Sequence, residues 1–278
     1  MKKIIGIIVL LAASLIFVVK SNQTKVQQPK EFEELEVVNH DVAFAVEPFA
    51  AAAQESGGVD FDPQMRAYGL VDIQELAPGV LVELKYSTTD NFVSKDMYGT
   101  LERAYLEKEF ANRIVKAQEI LQKRNPNYTL LIYDAARPIS VQRAMRQMVE
   151  GTEWEDFVAD GTKGGYHNFG VAVDLTIATT LDGAPLDMGA GFDEFSEKAA
   201  VKGTSDSDPA TRTIDVYRKF VRGLQNRGLI TEVQANNRIL LLEVMCEAGL
   251  VPYRREWWHF EYNESISVIR SKYKLLDF

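Results

Sequence analysis

The order of apolar and polar residues predicts strands and helices in mixed succession. Alternating or short apolar runs predict strands at residues 80–86, 128–133, 171–177 and 257–262. Apolar residues at helical spacing predict helices at residues 102–124, after Pro138, and at residues 214–225 and 232–248. Because the strands and helices do not alternate strictly, the pattern favours an α+β fold with helices packed mainly on one face of a sheet.

One predicted strand carries a single charged residue. Within residues 171–177 the four odd-numbered positions are apolar and share one face of the strand, whereas Asp174 lies on the other face. Asp174 therefore points away from its apolar neighbours and is a candidate for chemistry. The structural alternative is a charge on an exposed strand face.

Two of the three histidines of the chain complete a candidate metal site with Asp174. His167 precedes Asp174 with six residues between them, and His259 lies in the last predicted strand. A catalytic zinc takes three protein ligands and leaves a fourth position for water, so these three residues suffice. The same ligands also suit iron or cobalt. Taken singly, His167 is better explained as a loop histidine and His259 as a core histidine, and only the combination with Asp174 favours a metal site.

Glu256 is the spare carboxylate of this group and lies three positions before His259. Residues three apart on a straight strand point to opposite faces. We therefore expect Glu256 in a loop or a bulge just before the last strand, where its side chain can converge with that of His259.

Length and composition indicate one globular domain after an N-terminal extension. The chain has 278 residues, of which 46% are apolar and 26% charged, and this fits a folded domain at residues 61–278. The net charge of -9 argues against binding to nucleic acid phosphates. The single cysteine, Cys246, excludes an intrachain disulfide bond and is most simply a packing residue.

The N-terminus has the layout of an export signal. Two lysines precede an apolar run at residues 4–19, and Lys20 closes the run. Residues 1–20 are predicted to be either a cleaved signal peptide or a membrane anchor, and residues 21–60 a flexible tether that includes His40. We expect an exported protein of the periplasm or cell envelope, with a membrane tether if residues 4–19 are retained.

Several segments resemble the zinc D-alanyl-D-alanine dipeptidases of the vancomycin-resistance type. These segments lie at residues 85–92, 133–138, 167–176, 188–193 and 256–259, so the resemblance covers roughly residues 70–262. It implies an α+β fold of the superfamily that zinc DD-peptidases share with the hedgehog domain, with an antiparallel sheet and helices packed mainly on one face. The activity it implies is hydrolysis of D-Ala-D-Ala in cell-wall turnover or salvage.

The resemblance also implies a role for each residue of the site. The two histidines and Asp174 hold one Zn²⁺ per chain, Glu256 is the general base toward the attacking water, and Arg137 stabilises the oxyanion. Asp193 binds the free ammonium of the substrate. Residues that resemble pocket-wall positions are Tyr86, Asp90 and Phe92. The structural alternatives are a salt bridge for Arg137, a helix N-cap for Asp193, and packing for the two aromatic residues.

One position departs from the family pattern. The family often has serine two positions before its first zinc histidine, where serine helps to hold the substrate carboxylate. This chain has Gly165 at that position. The predicted substitutes for the serine are the backbone amide of Gly165 and the hydroxyl of Tyr166.

Two other functions stay open at this point. A zinc D,D- or L,D-carboxypeptidase that acts on peptidoglycan stem peptides would share the metal ligands and would differ at the N-terminal side of the substrate, where Asp193 discriminates. A binding module of the hedgehog type would share the fold and the zinc without catalysis. The presence of Arg137 and Glu256 beside the three ligands favours an enzyme.

Overall fold

The computed structural model describes residues 60–152, 154–203 and 211–278. The predicted leader at residues 1–20, with its apolar run, and the predicted tether up to residue 59 lie outside these ranges. Within the described ranges, no helix is both long enough and apolar enough to cross a lipid bilayer.

The described residues form helices and strands, and the two longest helices pack on one face of the larger sheet. The helices are α1 (Asp62–Ala67), α2 (Ile73–Leu76), α3 (Lys108–Arg124), α4 (Ile139–Val149), α5 (Ile214–Asn226), α6 (Glu232–Glu247) and α7 (Ile266–Lys272), with short 3-10 helices at Lys85–Ser87, Glu155–Phe157, Tyr166–Phe169 and Glu197–Ala199. Strands are β1 (Val71–Asp72), β2 (Leu81–Val82), β3 (Tyr105–Leu106), β4 (Tyr128–Asp134), β5 (Ala172–Thr179), β6 (Val251–Pro252) and β7 (His259–Glu261). Helix α3 packs on β4, α6 packs on β5, and the two helices contact each other, so both cover the same face of the sheet.

The strands of the described residues form two sheets. Strands β1 and β3 form a short antiparallel pair, and the larger sheet has the order β2-β4-β5-β7-β6. Neighbours in the larger sheet are antiparallel except β2 and β4, which are parallel. The parallel pair follows from the long connection through α3, because parallel neighbours need a crossover. The fold is α+β, as predicted, and its sheet is mixed rather than wholly antiparallel.

The central strands β4 and β5 place ionisable residues side by side. Both strands are buried along almost their whole length. In the register of the sheet, Asp134 on β4 lies opposite Asp174 on β5, and Asp174 lies opposite His259 on β7. An irregularity between Ile132 and Asp134 shifts the register of β4 just before Asp134. Three neighbouring strands thus bring three ionisable side chains side by side in the sheet.

The predicted strand at residues 80–86 is much shorter than expected. Only Leu81 and Val82 pair with β4, and the chain then forms a 3-10 helix that contains Tyr86. The alternation reflected the burial of Val80, Leu84 and Tyr86. A turn satisfies that burial as well as a strand does, so the pattern alone predicted a strand that is too long.

Other element boundaries also differ from the predictions. Helix α3 begins at Lys108 and not at residue 102, because the Glu107 carboxylate accepts a hydrogen bond from the Phe110 amide at 3.0 Å and caps the helix. The last strand is confined to His259–Glu261, since the chain turns just before it. Helix α7 near the C-terminus was not predicted.

Candidate metal centre

One cavity of about 510 Å³ gathers all but one of the predicted site residues. The predicted residues that line it are Tyr86, Phe92, Arg137, Tyr166, His167, Asp174, Asp193, Glu256 and His259. They come from β5, β7, the segment after β4 and several loops. The folded chain therefore brings together residues that are far apart in the sequence.

The three predicted metal ligands converge in this cavity. The distance from His167 Nε2 to His259 Nδ1 is 3.1 Å, and Asp174 Oδ1 lies 3.3 Å from the first nitrogen and 3.0 Å from the second. Asp174 and His259 are placed by the strand register. His167 is placed by the 3-10 helix Tyr166–Phe169, which ends at Gly170 in the left-handed conformation (φ 68°). The three atoms form a compact triangle of ligand atoms.

Each histidine is also held from its far side. His167 Nδ1 bonds to the carbonyl oxygen of Ala135 at 2.7 Å, and His259 Nε2 bonds to Glu261 Oε2 at 3.1 Å. The buried Arg212 guanidinium in turn donates to Glu261 Oε1 at 2.8 Å. Such partners fix the orientation and tautomer of histidines that bind metals. The sequence reasoning missed Glu261, although its position two residues after His259 places it on the same face of the strand.

The triangle favours a positive charge at its centre. Burial lowers the pKa of His259, but hydrogen bonds to Asp174 and Glu261 outweigh that effect and raise the pKa to about 10. Burial would raise the pKa of Asp174, and the neighbouring His167 and His259 instead hold it well below its usual range. The surrounding groups therefore stabilise a cation here, whether it is a proton or a metal ion.

The donor set fits a metal ion of the zinc type. A tetrahedral ion with bonds of about 2.1 Å separates its ligand atoms by about 3.4 Å, and the three separations observed are 3.0, 3.1 and 3.3 Å. Two imidazole nitrogens and one carboxylate oxygen are common ligands of zinc and related ions. His167, Asp174 and His259 could therefore hold one metal ion with little movement.

Glu256 lies in the turn before β7, outside the strand, where it was expected. Its amide donates to the carbonyl oxygen of Tyr253 at 3.2 Å, and the Tyr253 amide donates to that of His259 at 3.0 Å. This turn directs the Glu256 carboxylate into the cavity. Burial raises the pKa of Glu256 to about 7, against the opposing effect of the nearby His259. A carboxyl group with such a pKa can both accept and return a proton near neutral pH.

Arg137 forms a buried salt bridge and also lines the cavity. Its Nε and Nη2 donate to Asp134 Oδ2 at 3.0 and 2.5 Å, and its Nη1 donates to Gln142 Oε1 at 2.9 Å. Asp134 also accepts a hydrogen bond of 2.6 Å from the Tyr98 hydroxyl. The salt bridge fixes the guanidinium 4.0 Å from Asp174 Oδ2, beside the metal ligands. The sequence reasoning missed Asp134, whose signal was its place as the single charge ending an apolar strand.

Asp193 is held in a corner of the cavity by aromatic residues. The Tyr86 hydroxyl lies 3.1 and 3.2 Å from its two carboxylate oxygens, and the Phe92 amide donates to it at 3.4 Å. Burial, together with the negative charges of Asp174 and Glu256, raises the pKa of Asp193 well above its usual value. The residues directly after Asp193 are not helical, and the next helix, the 3-10 helix Glu197–Ala199, has Ser196 as its N-cap, so Asp193 is not a helix N-cap.

The remaining pocket-wall candidates separate into two groups. Tyr86 and Phe92 pack edge to face with ring centroids 6.1 Å apart, and both line the cavity. Asp90 instead bonds to Lys85 Nζ at 2.8 Å, and its side chain is 81% exposed. The structure therefore places Asp90 on the surface, outside this cavity.

Neither predicted substitute for the missing serine has a hydrogen to offer a substrate carboxylate. The Gly165 amide donates to Asn168 Oδ1 at 2.8 Å, and the Tyr166 hydroxyl donates to the carbonyl oxygen of Glu264 at 2.7 Å. A Cβ atom at Gly165 would lie 3.2 Å from that of Ala159, so a side chain fits poorly there.

A match to a known protein family covers all residues that line the cavity. Residues 66–274 match the family model described as D-ala-D-ala dipeptidase. The chain is 33% identical over 198 residues to a D-alanyl-D-alanine dipeptidase of Escherichia coli (strain K12), and the match covers 71% of this chain and 86% of that protein.

More distant relatives carry the same description. A D-alanyl-D-alanine dipeptidase of Synechocystis sp. (strain ATCC 27184 / PCC 6803 / Kazusa) is 26% identical over 243 residues, which cover 75% of this chain and 91% of that protein. One of Enterococcus faecium is 26% identical over 213 residues, with 69% of this chain and 90% of that protein covered. The segment matched by the family model contains every predicted site residue.

Proposed function

The chain belongs to the D-ala-D-ala dipeptidase family of peptidases, and we propose that it hydrolyses the free dipeptide D-Ala-D-Ala in a zinc-dependent reaction with Glu256 as general base. The observation that supports this most is the convergence of three ligand atoms, Glu256 and Asp193 in one cavity. These groups correspond to a metal, a base and an anchor for a free amine.

The metal would be held by His167, Asp174 and His259, which already lie at suitable separations. When bound, a zinc ion supplies a Lewis acid that polarises the peptide carbonyl and lowers the pKa of a water molecule to about 7. Ala135 and Glu261 keep the two imidazoles oriented toward the ion. The protein thus contributes a prearranged ligand set.

Glu256 moves the proton in this proposal. Its carboxylate accepts a proton from the attacking water and returns it to the amine of the leaving D-alanine, so that one dipeptide and one water give two D-alanine molecules. The pKa of about 7 suits both steps. The turn before β7 holds the carboxylate beside the ligands without placing it among them.

Arg137 stabilises the negative charge that develops on the carbonyl oxygen. Its guanidinium is fixed by Asp134 and Gln142, so it need not reorganise when the charge appears. It also stacks over the Tyr86 ring, with 5.0 Å from Cζ to the ring centroid. These contacts leave one edge of the guanidinium directed at the cavity.

Asp193 favours a free dipeptide over a longer peptide. An ammonium group placed against its carboxylate would restore the ionised form that burial disfavours. The Tyr86 hydroxyl and the Phe92 amide hold the Asp193 carboxylate on the cavity wall, where it can meet a free ammonium. A carboxypeptidase that acts on stem peptides would need an open cleft at this point.

We also propose that the protein acts outside the cytoplasm. The support is the lysine-flanked apolar run at residues 4–19. A substrate derived from the cell wall is consistent with that location.

The deciding experiment compares D-Ala-D-Ala with N-acetyl-D-Ala-D-Ala. We expect the metal-loaded full chain to contain one zinc per chain and to cleave the free dipeptide much faster than the acetylated one. Removal of the metal with a chelator should abolish turnover, and added zinc should restore it. Equal rates on the two substrates would reject the dipeptidase in favour of the carboxypeptidase, and zinc-independent turnover would reject the metal mechanism.

A further inference from the structure

We propose that Arg270 binds the C-terminal carboxylate of the dipeptide and so selects substrates that carry a free carboxylate. This proposal rests on the proposed dipeptide hydrolysis and assigns the end of the substrate that neither Gly165 nor Tyr166 accounts for. Arg270 lies on α7, a helix that the sequence pattern did not reveal.

Arg270 lies on the wall of the cavity that leads to the first metal ligand. Helix α7 packs against the 3-10 helix Tyr166–Phe169, and Arg270 Nη2 donates to the carbonyl oxygen of Gly164 at 2.7 Å. Gly164, Gly165 and Arg270 all line the cavity. Because His167 follows this segment directly, a carboxylate bound at Arg270 would lie beside the metal ligands.

Arg270 differs in its ion pairing from the other arginines of the cavity. Arg137 is paired with Asp134, and Arg212 is paired with Glu261. Among the described residues, no carboxylate oxygen lies within 4.0 Å of a nitrogen of Arg270. A guanidinium has five N–H donors in a fork that matches a carboxylate. The hydrogen bond to Gly164 orients that fork and leaves donors for an anion.

The charges of the cavity walls match those of a free dipeptide. Asp193 offers a negative group on the wall formed with Tyr86 and Phe92, while Arg270 offers a positive group on the wall formed with Gly164. A free dipeptide carries an ammonium at one end and a carboxylate at the other. Asp193, Arg270 and the three metal ligands line the same cavity, so a dipeptide held at both ends would lie in the cavity that contains the ligands.

The test measures binding of D-Ala-D-Ala and of D-alanyl-D-alaninamide, which lacks the carboxylate. Both ligands are titrated calorimetrically into the metal-loaded full-length Glu256→Gln protein, with and without Arg270→Met. We expect Arg270→Met to weaken the binding of D-Ala-D-Ala, the acid, by about 10- to 100-fold. The affinity for D-alanyl-D-alaninamide, the amide, should stay within about twofold of its original value. Arg270→Lys should recover part of the loss, because it restores the charge without the fork.

Lys272→Met is the matched control, since Lys272 is a cation on the same helix that pairs with Glu264 and does not line the cavity. It should leave both affinities unchanged. Equal losses for acid and amide would overturn the proposal, because Arg270 would then only support the loop at Gly164. An unchanged affinity of Arg270→Met for the acid would also overturn it. So would a failure of the protein with Arg270 intact to bind either ligand.

The outcome is separable from that of the proposed function. If the wild-type chain fails to hydrolyse D-Ala-D-Ala while Arg270→Met weakens only the acid, the dipeptidase proposal fails and carboxylate binding by Arg270 stands. If the wild-type chain hydrolyses the dipeptide and Arg270→Met binds it with unchanged affinity, the dipeptidase proposal stands and carboxylate binding by Arg270 fails. Thermal unfolding of each variant shows whether the fold has been kept.

Discussion

The metal-ligand side of the cavity and its substrate-binding walls are built differently. Asp174 and His259 lie on paired strands, and the imidazoles of His167 and His259 each bond to a second acceptor on the far side. The substrate-binding walls instead use Asp193, which lies in a loop, and Arg270, which lies on a short helix near the C-terminus. The sheet thus positions metal ligands, whereas the segments that connect the strands position the substrate-binding residues.

This difference explains how recognition can vary while the chemistry stays intact. A strand register fixes its residues through backbone hydrogen bonds over several positions, so one ligand cannot move without its neighbours. Loop residues depend on fewer contacts and tolerate replacement more readily. Gly165 is an exception among these loop positions, because a Cβ atom there would lie 3.2 Å from that of Ala159.

The largest effect is expected for Glu256, and it should distinguish the role of a general base from that of a metal ligand. Glu256→Gln should lower kcat on D-Ala-D-Ala by about 10²- to 10⁴-fold while zinc content and Tm stay unchanged, because the amide cannot take a proton from water. Steady-state kinetics and metal analysis check this. Glu247→Gln, a replacement of an exposed glutamate on α6, serves as the control. Full activity of Glu256→Gln would remove the base from the mechanism.

A second test probes the support behind the ligands. Glu261→Gln should weaken zinc binding by about 10- to 100-fold, since the amide holds the His259 imidazole less well than the carboxylate. The loss of charge also removes the ion pair between Glu261 and the buried Arg212. Competition with a chromogenic chelator measures the affinity. An unchanged zinc affinity would show that the strand register alone positions His259.

A third test addresses the wall at Asp193. Asp193→Asn should lower kcat/KM for D-Ala-D-Ala by about tenfold or more, because the neutral amide attracts the ammonium less than the carboxylate does. The already slow cleavage of N-acetyl-D-Ala-D-Ala should change little, since that substrate has no ammonium. Equal losses on both substrates would mean that Asp193 supports the cavity through Tyr86 rather than binding the amine.

The last test measures how zinc binding depends on pH, with an expected change of about tenfold for each pH unit. The pKa of His259 is raised to about 10, so its protonated form stabilises the metal-free fold below about pH 6.5, and this contribution is lost as the pH rises toward 10. Zinc must displace that proton. Its apparent affinity should therefore rise by about tenfold per pH unit between pH 7 and 9. Competition with a chelator measures the affinity across this range. A constant zinc affinity would contradict the raised pKa of His259.

The sequence revealed the chemistry of the site more fully than its shape. His167, Asp174 and His259 could be singled out because few histidines are present and because Asp174 interrupts an apolar strand. The resemblance drawn from the motifs is confirmed by the family match over residues 66–274. The predicted strand at residues 80–86 is confirmed only at Leu81–Val82, because burial of alternate residues does not distinguish a strand from a turn.

The sequence by itself determined which side chains could bind a metal and that the fold is α+β. Only the tertiary structure decided which strands are neighbours, and hence that Asp134, Asp174 and His259 lie side by side. The same holds for the contacts of Glu261 with Arg212 and of Arg270 with Gly164, which join residues 49 and 106 positions apart. Local patterns give each strand its faces, but contacts between distant residues depend on how the whole chain packs.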